Sequence, residues 1–137
     1  MNRRDLQLLA RTRLADAKTL LGTGRPDGAY YLAGYAVECA LKACIAKGTQ
    51  RHDFPGKKRV EASYTHNLRD LIKVANLEQA CLEEAKKDPV FRNYWDFVQD
   101  WSEHSRYQRF DSQKARALVE AIGDRKHGVM VWIRRHW

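Results

Sequence analysis

The stretch that decides the fold is DGAYYLAGYAVECALKA, residues 27–43. Its side chains recur at steps of three and four, the spacing that places residues on one face of an α-helix. One face is polar and aromatic, and the opposite face is apolar. Small residues between them would let a neighbouring helix approach closely, so the pattern predicts a buried central helix. The polar face consists of Tyr31, Tyr35, Glu38 and Lys42. The apolar face consists of Val37, Leu41, Cys44 and Ile45.

Glu38 and Lys42 are the only charged residues in the longest apolar stretch, residues 29–46. Glu38 precedes Lys42 by four positions, which is the favourable orientation for an ion pair on a helix. The stretch approaches the length of a membrane span, but two central charges and several small residues disfavour insertion. We therefore expect a helix inside a soluble domain, without a membrane partner.

Helical spacing continues through the rest of the sequence, and no strand-like alternation of useful length occurs. Asp27 is predicted as the N-cap of the central helix, and Gly48 as its end. Gly123 and Gly128 are expected to bend or divide the last helix. The predicted helices cover residues 4–21, 27–47, 65–75, 77–87, 89–101 and 112–135, and the main loop covers residues 48–64. Asn76 separates the third and fourth helices, and residues 102–111 are predicted to be irregular.

The fold class is therefore all-α, a four-helix core with additional short helices. The chain has 137 residues, which suits a single domain over residues 1–137. Hydrophobic residues make up 44% of the chain, which excludes a disordered or collagen-like protein.

The formal net charge of +8 is unevenly distributed. Residues 1–26 and 47–59 each carry +4, residues 123–137 carry +3, and residues 60–104 carry −4. Basic segments are often only a solvated surface. Alternatively, the two chain ends and the long loop converge on one anionic ligand, such as a phosphodiester backbone.

Three cysteines, an odd number without zinc spacing, argue against a disulfide scaffold or a metal site. This cysteine usage favours a reducing, cytoplasmic location.

No hydrophobic segment follows the charged start of the chain, so a signal peptide is not expected. Phosphate-loop, nucleophile-elbow and zinc-helix motifs are absent from the sequence, and we expect neither a cofactor nor a metal.

Three segments, taken in order, resemble the HEPN domain family, the nucleotide-binding domain of higher eukaryotes and prokaryotes. The first is the run from Tyr30-Tyr31 through Ala36-Val37-Glu38 to Leu41-Lys42-Ala43. The second, Thr65-His66-Asn67-Leu68-Arg69-Asp70-Leu71, is similar to a His-Asp-Leu segment of the family, with Asn67 in place of Asp. The third, Trp101-Ser102-Glu103-His104-Ser105-Arg106-Tyr107, is similar to an Arg-Tyr element before the final helix.

This resemblance implies an up-and-down helical bundle that usually forms a homodimer. Family members often accompany a minimal nucleotidyltransferase, as a toxin–antitoxin pair or a substrate-binding subunit. Many are metal-independent ribonucleases with an Arg-x4–6-His motif. In such enzymes the histidine acts as acid and base on the ribose 2′-hydroxyl, and the arginine holds the phosphate.

The catalytic motif is not found in its usual place, so the sequence leaves enzymatic activity open. The only match to the spacing is Arg59 with His66, in the predicted loop. His104 and Arg106 lie near the usual place of the motif, but here the histidine precedes the arginine. A dimer could bring His104 of one chain close to Arg106 of the other. The candidate catalytic residues are His104 and Arg106, then His66 and Arg59. The candidate residues for binding a nucleotide or RNA are Tyr31, Tyr35, Lys42, Arg106 and Tyr107.

Three functions fit these features. The leading hypothesis is a HEPN-like protein that binds a nucleotide, RNA or a partner nucleotidyltransferase. The second is an active ribonuclease toxin with a displaced histidine–arginine pair. The third is a non-enzymatic interaction module whose basic segments contact an acidic protein.

Overall fold

The structure is a computed structural model that describes residues 1–50 and 57–137, with the backbone alone at residue 50 and residues 57–59. Throughout these ranges the secondary structure is helical, without a strand, which confirms the all-α prediction. The elements are α1 (Arg3–Gly22), α2 (Pro26–Gln50), α3 (Lys57–Ala62), α4 (Leu68–Val74), α5 (Glu78–Lys87), α6 (Pro89–Val98), a 3-10 turn (Glu103–Tyr107), α7 (Ser112–Gly123) and α8 (Val129–Arg134).

Helix α2 lies at the centre of the molecule. It packs most extensively against α1, next against α7, and also contacts α4, α8 and the 3-10 turn. The tight turn between α1 and α2 contains Gly24 at a φ of 78°, a left-handed conformation that glycine adopts without steric penalty. Helix α7 also contacts α1 and α6, and the buried core includes side chains from α4, α5 and α8 as well. The apolar face predicted for α2 is buried, as its members Val37, Leu41, Cys44 and Ile45 show.

Both predicted ends of α2 are wrong. The helix begins at Pro26, whose fixed φ and missing N–H suit the first helical turn. Asp27 is therefore not the N-cap, and its carboxylate instead accepts a hydrogen bond from the backbone N–H of Phe110. Gly48 does not end the helix, which continues to Gln50. A glycine inside a helix costs only about 1 kcal/mol relative to alanine, so packing can override it.

Residues 48–64 were predicted to form a loop, and this prediction is wrong for Lys57–Ala62, which form α3. Residues 51–56 lie outside the described part of the chain. His66 precedes α4 rather than starting it, because Asn67 is the N-cap and accepts a hydrogen bond from the N–H of Asp70 at 3.1 Å. Asn76 separates α4 from α5 as predicted, with a left-handed φ of 59°.

The last predicted helix is divided into α7 and α8. The carboxylate of Asp124 accepts a hydrogen bond from the backbone N–H of His127 at 2.7 Å, which closes the turn between them. Gly128 follows this turn, where a Cβ atom would overlap the carbonyl oxygen of Asp124. A larger residue at position 128 would therefore force the backbone of this turn to shift.

The two basic ends of the chain meet at one end of the molecule. Nη2 of Arg3 donates a hydrogen bond to the carbonyl oxygen of Trp137 at 2.7 Å. The guanidinium groups of Arg11 and Arg134 lie 5.0 and 5.7 Å from the centre of the Trp137 ring. The third basic segment, residues 47–59, lies largely outside the described side chains.

Among the helices of the described ranges, none has the length and apolar character needed to cross a membrane.

Candidate functional site

One face of α2, defined by Tyr31, Tyr35, Glu38 and Lys42, forms the floor of the candidate site. The rings of Tyr31 and Tyr35 are nearly parallel, with centroids 6.2 Å apart. Nζ of Lys42 lies 3.4 Å from Oε2 of Glu38, which is the ion pair predicted from their spacing. At 1.5 Å per residue, the face from Tyr31 to Lys42 is about 17 Å long. It is partly aromatic, and the buried Glu38 lies between its tyrosines and Lys42.

The 3-10 turn covers the first part of the α2 face and is anchored by Trp101, which is only 3% exposed. Its indole lies directly over Gly34, where a Cβ atom would overlap the ring. The Trp101 and Tyr31 rings are 6.0 Å apart. The sequence predicted that the small residue at position 34 would allow a neighbouring helix to pack closely. In the structure, the group that packs against Gly34 is the indole of Trp101. The hydroxyl of Ser102 caps the turn by accepting a hydrogen bond from the N–H of His104 at 3.2 Å.

Arg106 and Tyr107 form an exposed pair at the end of this turn. The guanidinium carbon of Arg106 lies 4.8 Å from the centre of the Tyr107 ring, and Tyr107 is 75% exposed. The neighbouring hydroxyls of Tyr107 and, to a smaller extent, Tyr31 raise the pKa of Arg106 above its ordinary value. The pair therefore offers a permanent positive charge and an open aromatic ring in one place.

Glu38, His66 and Glu103 form a cluster that joins α2, the start of α4 and the 3-10 turn. Glu38 is 3% exposed, and its Oε1 lies 3.0 Å from Nδ1 of His66. On the other side of the imidazole, Nε2 lies 3.3 Å from Oε2 of Glu103. The imidazole is thus held between two carboxylates, one buried and one on the exposed turn.

This cluster is not arranged to hold a metal, because the two carboxylates face opposite nitrogens of one ring. In the part of the chain that the structure describes, no group of three histidine, cysteine, aspartate or glutamate side chains can hold a metal ion.

Thiolate chemistry is unfavourable at this site. Burial raises the pKa of the Cys39 thiol to about 11. Burial likewise raises the pKa of Tyr35, beside Cys39, to about 12. Both groups therefore keep their protons near neutral pH.

A cleft of about 660 Å³ lies at the far end of the α2 face, between α1, α2 and the residues after α3. It contains the cations Arg3 and Lys42, and no carboxylate is among its lining residues within the described ranges. Nε of Arg3 is buried without a hydrogen-bond partner among the described residues. The exposed ring of Tyr64 stands at its edge. This combination of cations and an aromatic ring suits an anionic ligand.

The residues predicted for nucleotide or RNA binding lie on two elements that contact each other, α2 and the 3-10 turn. Tyr31, Tyr35 and Lys42 lie along α2, and the 3-10 turn adds Arg106 and Tyr107 beside Tyr31. His66, predicted as catalytic, contacts α2 through Glu38.

Within one chain, the other catalytic candidates are not brought together, and the pairing of His104 with Arg106 across two chains stays a prediction. His104 is exposed, and the hydrogen bond recorded for it is through its backbone, so no described contact joins it to Arg106. Arg59 lies in α3, but its side chain is outside the described part of the chain.

Sequence reasoning missed the role of Glu103, which lies in the segment that was singled out for its Arg-Tyr element. It also did not predict that Trp101, in the same segment, packs over Gly34. The pairing of Glu103 with His66 spans elements distant in sequence, so no local spacing could have revealed it. Only the small residue at position 34 signalled that something packs closely there.

Comparison with known proteins agrees with this architecture. The model of the HEPN domain family matches residues 4–134. Searches of curated proteins and of solved structures give no match. Because the family match covers nearly the whole sequence, the chain belongs to the HEPN domain family.

Proposed function

We propose that this protein binds single-stranded RNA along the α2 face. The observation that carries the proposal is the exposed Arg106–Tyr107 pair beside Tyr31. An exposed aromatic ring can stack on an unpaired base, while an adjacent arginine contacts the phosphate. The site therefore supplies the two kinds of contact on which binding of single-stranded nucleic acid depends.

The cleft at the other end of the α2 face extends this surface. Arg3 and Lys42 line it, and Arg11 and Arg134 lie near Arg3 around Trp137. An RNA strand on the α2 face would thus meet an aromatic and cationic contact at one end and a basic cleft at the other. We propose that bases stack near Tyr107 and that phosphates occupy the cleft.

Fluorescence anisotropy with a labelled unstructured RNA tests this proposal. Changing Arg106 or Tyr107 to alanine should weaken binding roughly tenfold, because one stacked base contributes about 1–3 kcal/mol. Binding should also weaken steeply with added salt, since phosphate contacts release counterions. Arg116→Ala is the matched control, because it removes an equal charge from an exposed position on α7. Equal binding by all these variants would contradict the proposal.

Ribonuclease activity is the second candidate, and the orientation of His66 favours it. A buried carboxylate on one ring nitrogen, as Glu38 is on Nδ1, is the arrangement that positions a histidine for acid–base chemistry. Glu103 faces Nε2 at 3.3 Å, so its side chain must turn away before that nitrogen can contact RNA. Incubation of the protein with mixed RNA in EDTA tests this. RNA cleavage that is lost in His66→Ala but retained in His104→Ala would support His66 as the catalytic histidine. Intact RNA at high protein concentration would exclude the activity.

We further propose, from the length of the sequence and its cysteine usage, that residues 1–137 act as one domain in a reducing cytoplasm. The family resemblance suggests a homodimer and a minimal nucleotidyltransferase as partner, in a toxin–antitoxin or substrate-binding pair. Light scattering coupled to size-exclusion chromatography measures the molar mass and so tests for the homodimer. Co-purification with a nucleotidyltransferase encoded beside this gene tests the second association.

A further inference from the structure

We propose that Asp27 and Phe110 are positioning residues that hold the Arg106–Tyr107 pair in place before RNA binds. The inference rests on the proposed function, because this pair carries the proposed base and phosphate contacts. The chain that follows the 3-10 turn is fixed to the start of α2 by two contacts of different kinds, and both involve Phe110.

The first contact is made by the backbone of Phe110. Its N–H donates a hydrogen bond to Oδ1 of Asp27 at 2.5 Å, and Asp27 lies in the first turn of α2. Because the acceptor is a carboxylate, this is a charge-assisted hydrogen bond, which is stronger than one between neutral groups. The bond therefore ties Phe110 firmly to a residue that lies 83 positions earlier in the chain.

The second contact is made by the side chain of Phe110. Its ring stacks on the ring of Tyr30, with centroids 3.8 Å apart and an angle of 16° between the planes. Tyr30 is only 6% exposed, so the core holds this ring and makes it a firm support. Nζ of Lys114 on α7 lies 5.3 Å from the centre of the Phe110 ring and 5.7 Å from that of Tyr30, which adds a cation–π attraction.

The two contacts fix the second end of a short loop whose first end is also fixed. Trp101 packs over Gly34, and Phe110 packs on Tyr30, which lies about one helical turn earlier on α2. The loop between the two anchors, residues 102–109, thus begins and ends on adjacent turns of one helix. Loops of about 6–16 residues with close ends are compact. A loop that is already held loses less conformational freedom when RNA binds, and this raises its affinity.

The charge of Asp27 makes it the most informative residue to change. Its carboxylate would repel a phosphate, so loss of the charge alone should leave RNA binding equal or make it tighter. Loss of the positioning hydrogen bond should do the opposite. In anisotropy with a labelled unstructured RNA, we expect Asp27→Ala to bind about fivefold more weakly than the wild type. Asp27→Asn should bind at least as tightly as the wild type, because its amide oxygen can accept the same hydrogen bond.

Three further variants complete the binding test. Glu78→Ala is the matched control for Asp27→Ala, because it removes an exposed carboxylate from the first turn of a different helix, α5, and its RNA affinity should not change. Phe110→Leu keeps an apolar side chain but loses the ring that stacks on Tyr30, so it should weaken binding. Phe110→Tyr keeps the ring and should restore binding. Equal affinity of Phe110→Leu and the wild type would exclude a role for the stacked ring.

Amide hydrogen exchange without RNA separates this inference from the proposed function. The amide of Phe110 should exchange slowly in the wild type and in Asp27→Asn. In Asp27→Ala it should exchange faster, together with the amides of residues 106–109. If this pattern appears but the wild type does not bind RNA, the two contacts hold the loop and the RNA proposal alone fails. If Asp27→Ala exchanges like the wild type, or binds RNA as tightly as Asp27→Asn, the positioning role is wrong.

Discussion

Nδ1 of His66 lies 3.0 Å from Oε1 of Glu38, a carboxylate almost entirely removed from water. A buried carboxylate is costly unless it is paired, and His66 and Lys42 are the partners that the structure provides. The polar face of α2 is thus fixed at its centre by one partner within the helix, Lys42, and one from outside it, His66. Its function as a binding surface depends on this tertiary support.

Glu38→Gln should destabilise the protein by roughly 1–3 kcal/mol, because it replaces a charge-assisted pair with weaker amide contacts. The free energy of unfolding in urea measures this effect. Glu120→Gln is the matched control, since Glu120 is exposed on α7. An equal effect of the two changes would show that burial of Glu38 is energetically unimportant.

Gly34→Ala should destabilise by roughly 1–3 kcal/mol, because the new methyl group would force the Trp101 indole out of its place. The same change should weaken RNA binding, since the turn carrying Arg106 is displaced. Chemical denaturation and anisotropy measure the two effects. Gly22→Ala is the control, because no atom lies within 4 Å of a Cβ atom built there. Equal stability of the two variants would contradict the packing.

Acid should destabilise the contact between α6 and the α7–α8 turn. Nδ1 of His127 lies 2.6 Å from Oδ2 of Asp88, and the neighbouring imidazole is the largest cause that lowers the pKa of Asp88. A lowered carboxyl pKa contributes stability above the unfolded-state pKa, and this contribution is lost as the pH falls through the folded-state pKa.

Asp88→Asn isolates this contribution. Its side-chain oxygen can still cap α6, where Asp88 accepts hydrogen bonds from Val90 and Phe91, but it carries no titrating charge. Urea unfolding from pH 7 down to pH 3 should therefore show a shallower loss of stability in Asp88→Asn than in the wild type. Parallel curves for the two proteins would exclude the Asp88–His127 pair as the source.

The cysteines should react slowly with a thiol reagent in the native protein. Burial raises the pKa of Cys44 and Cys81 to about 12, so the reactive thiolate is scarce near neutral pH. All three cysteines are free and buried. Titration with a chromogenic disulfide at pH 8 should give little reaction until denaturant is added, and then three thiols per chain. Rapid labelling of the native protein would show that these sites open readily.

Which segments form helices was largely predictable, because helix formation shows in the three- and four-residue spacing of apolar side chains along the sequence. The face of Tyr31, Tyr35, Glu38 and Lys42 follows from steps of three and four, and the structure shows that face on α2. Helix ends were less predictable, as Asp27 and Gly48 demonstrate. Their local preferences are weak compared with the packing of a central helix, so tertiary contacts override them.

The candidate site was only partly predictable. Tyr31, Tyr35, Lys42, Arg106 and Tyr107 were proposed for nucleotide or RNA binding from the resemblance and the α2 pattern. The structure places Arg106 beside Tyr31 and Tyr107, whereas Lys42 lies further along α2 in its ion pair with Glu38. His66 was considered as one half of a motif with Arg59 and as part of the segment similar to the family's His-Asp-Leu segment. Its carboxylate partners come from α2 and the 3-10 turn, which are far from it in sequence.

The sequence by itself determined the all-α class, the central position of α2 and the ion pair between Glu38 and Lys42. These properties depend on helical periodicity and on apolar residues that must be buried, and both are local. Only the tertiary structure decided that Trp101 packs over Gly34 and that His66 lies between Glu38 and Glu103. Such contacts join distant segments whose approach depends on how the whole core packs, and no spacing within one segment encodes them.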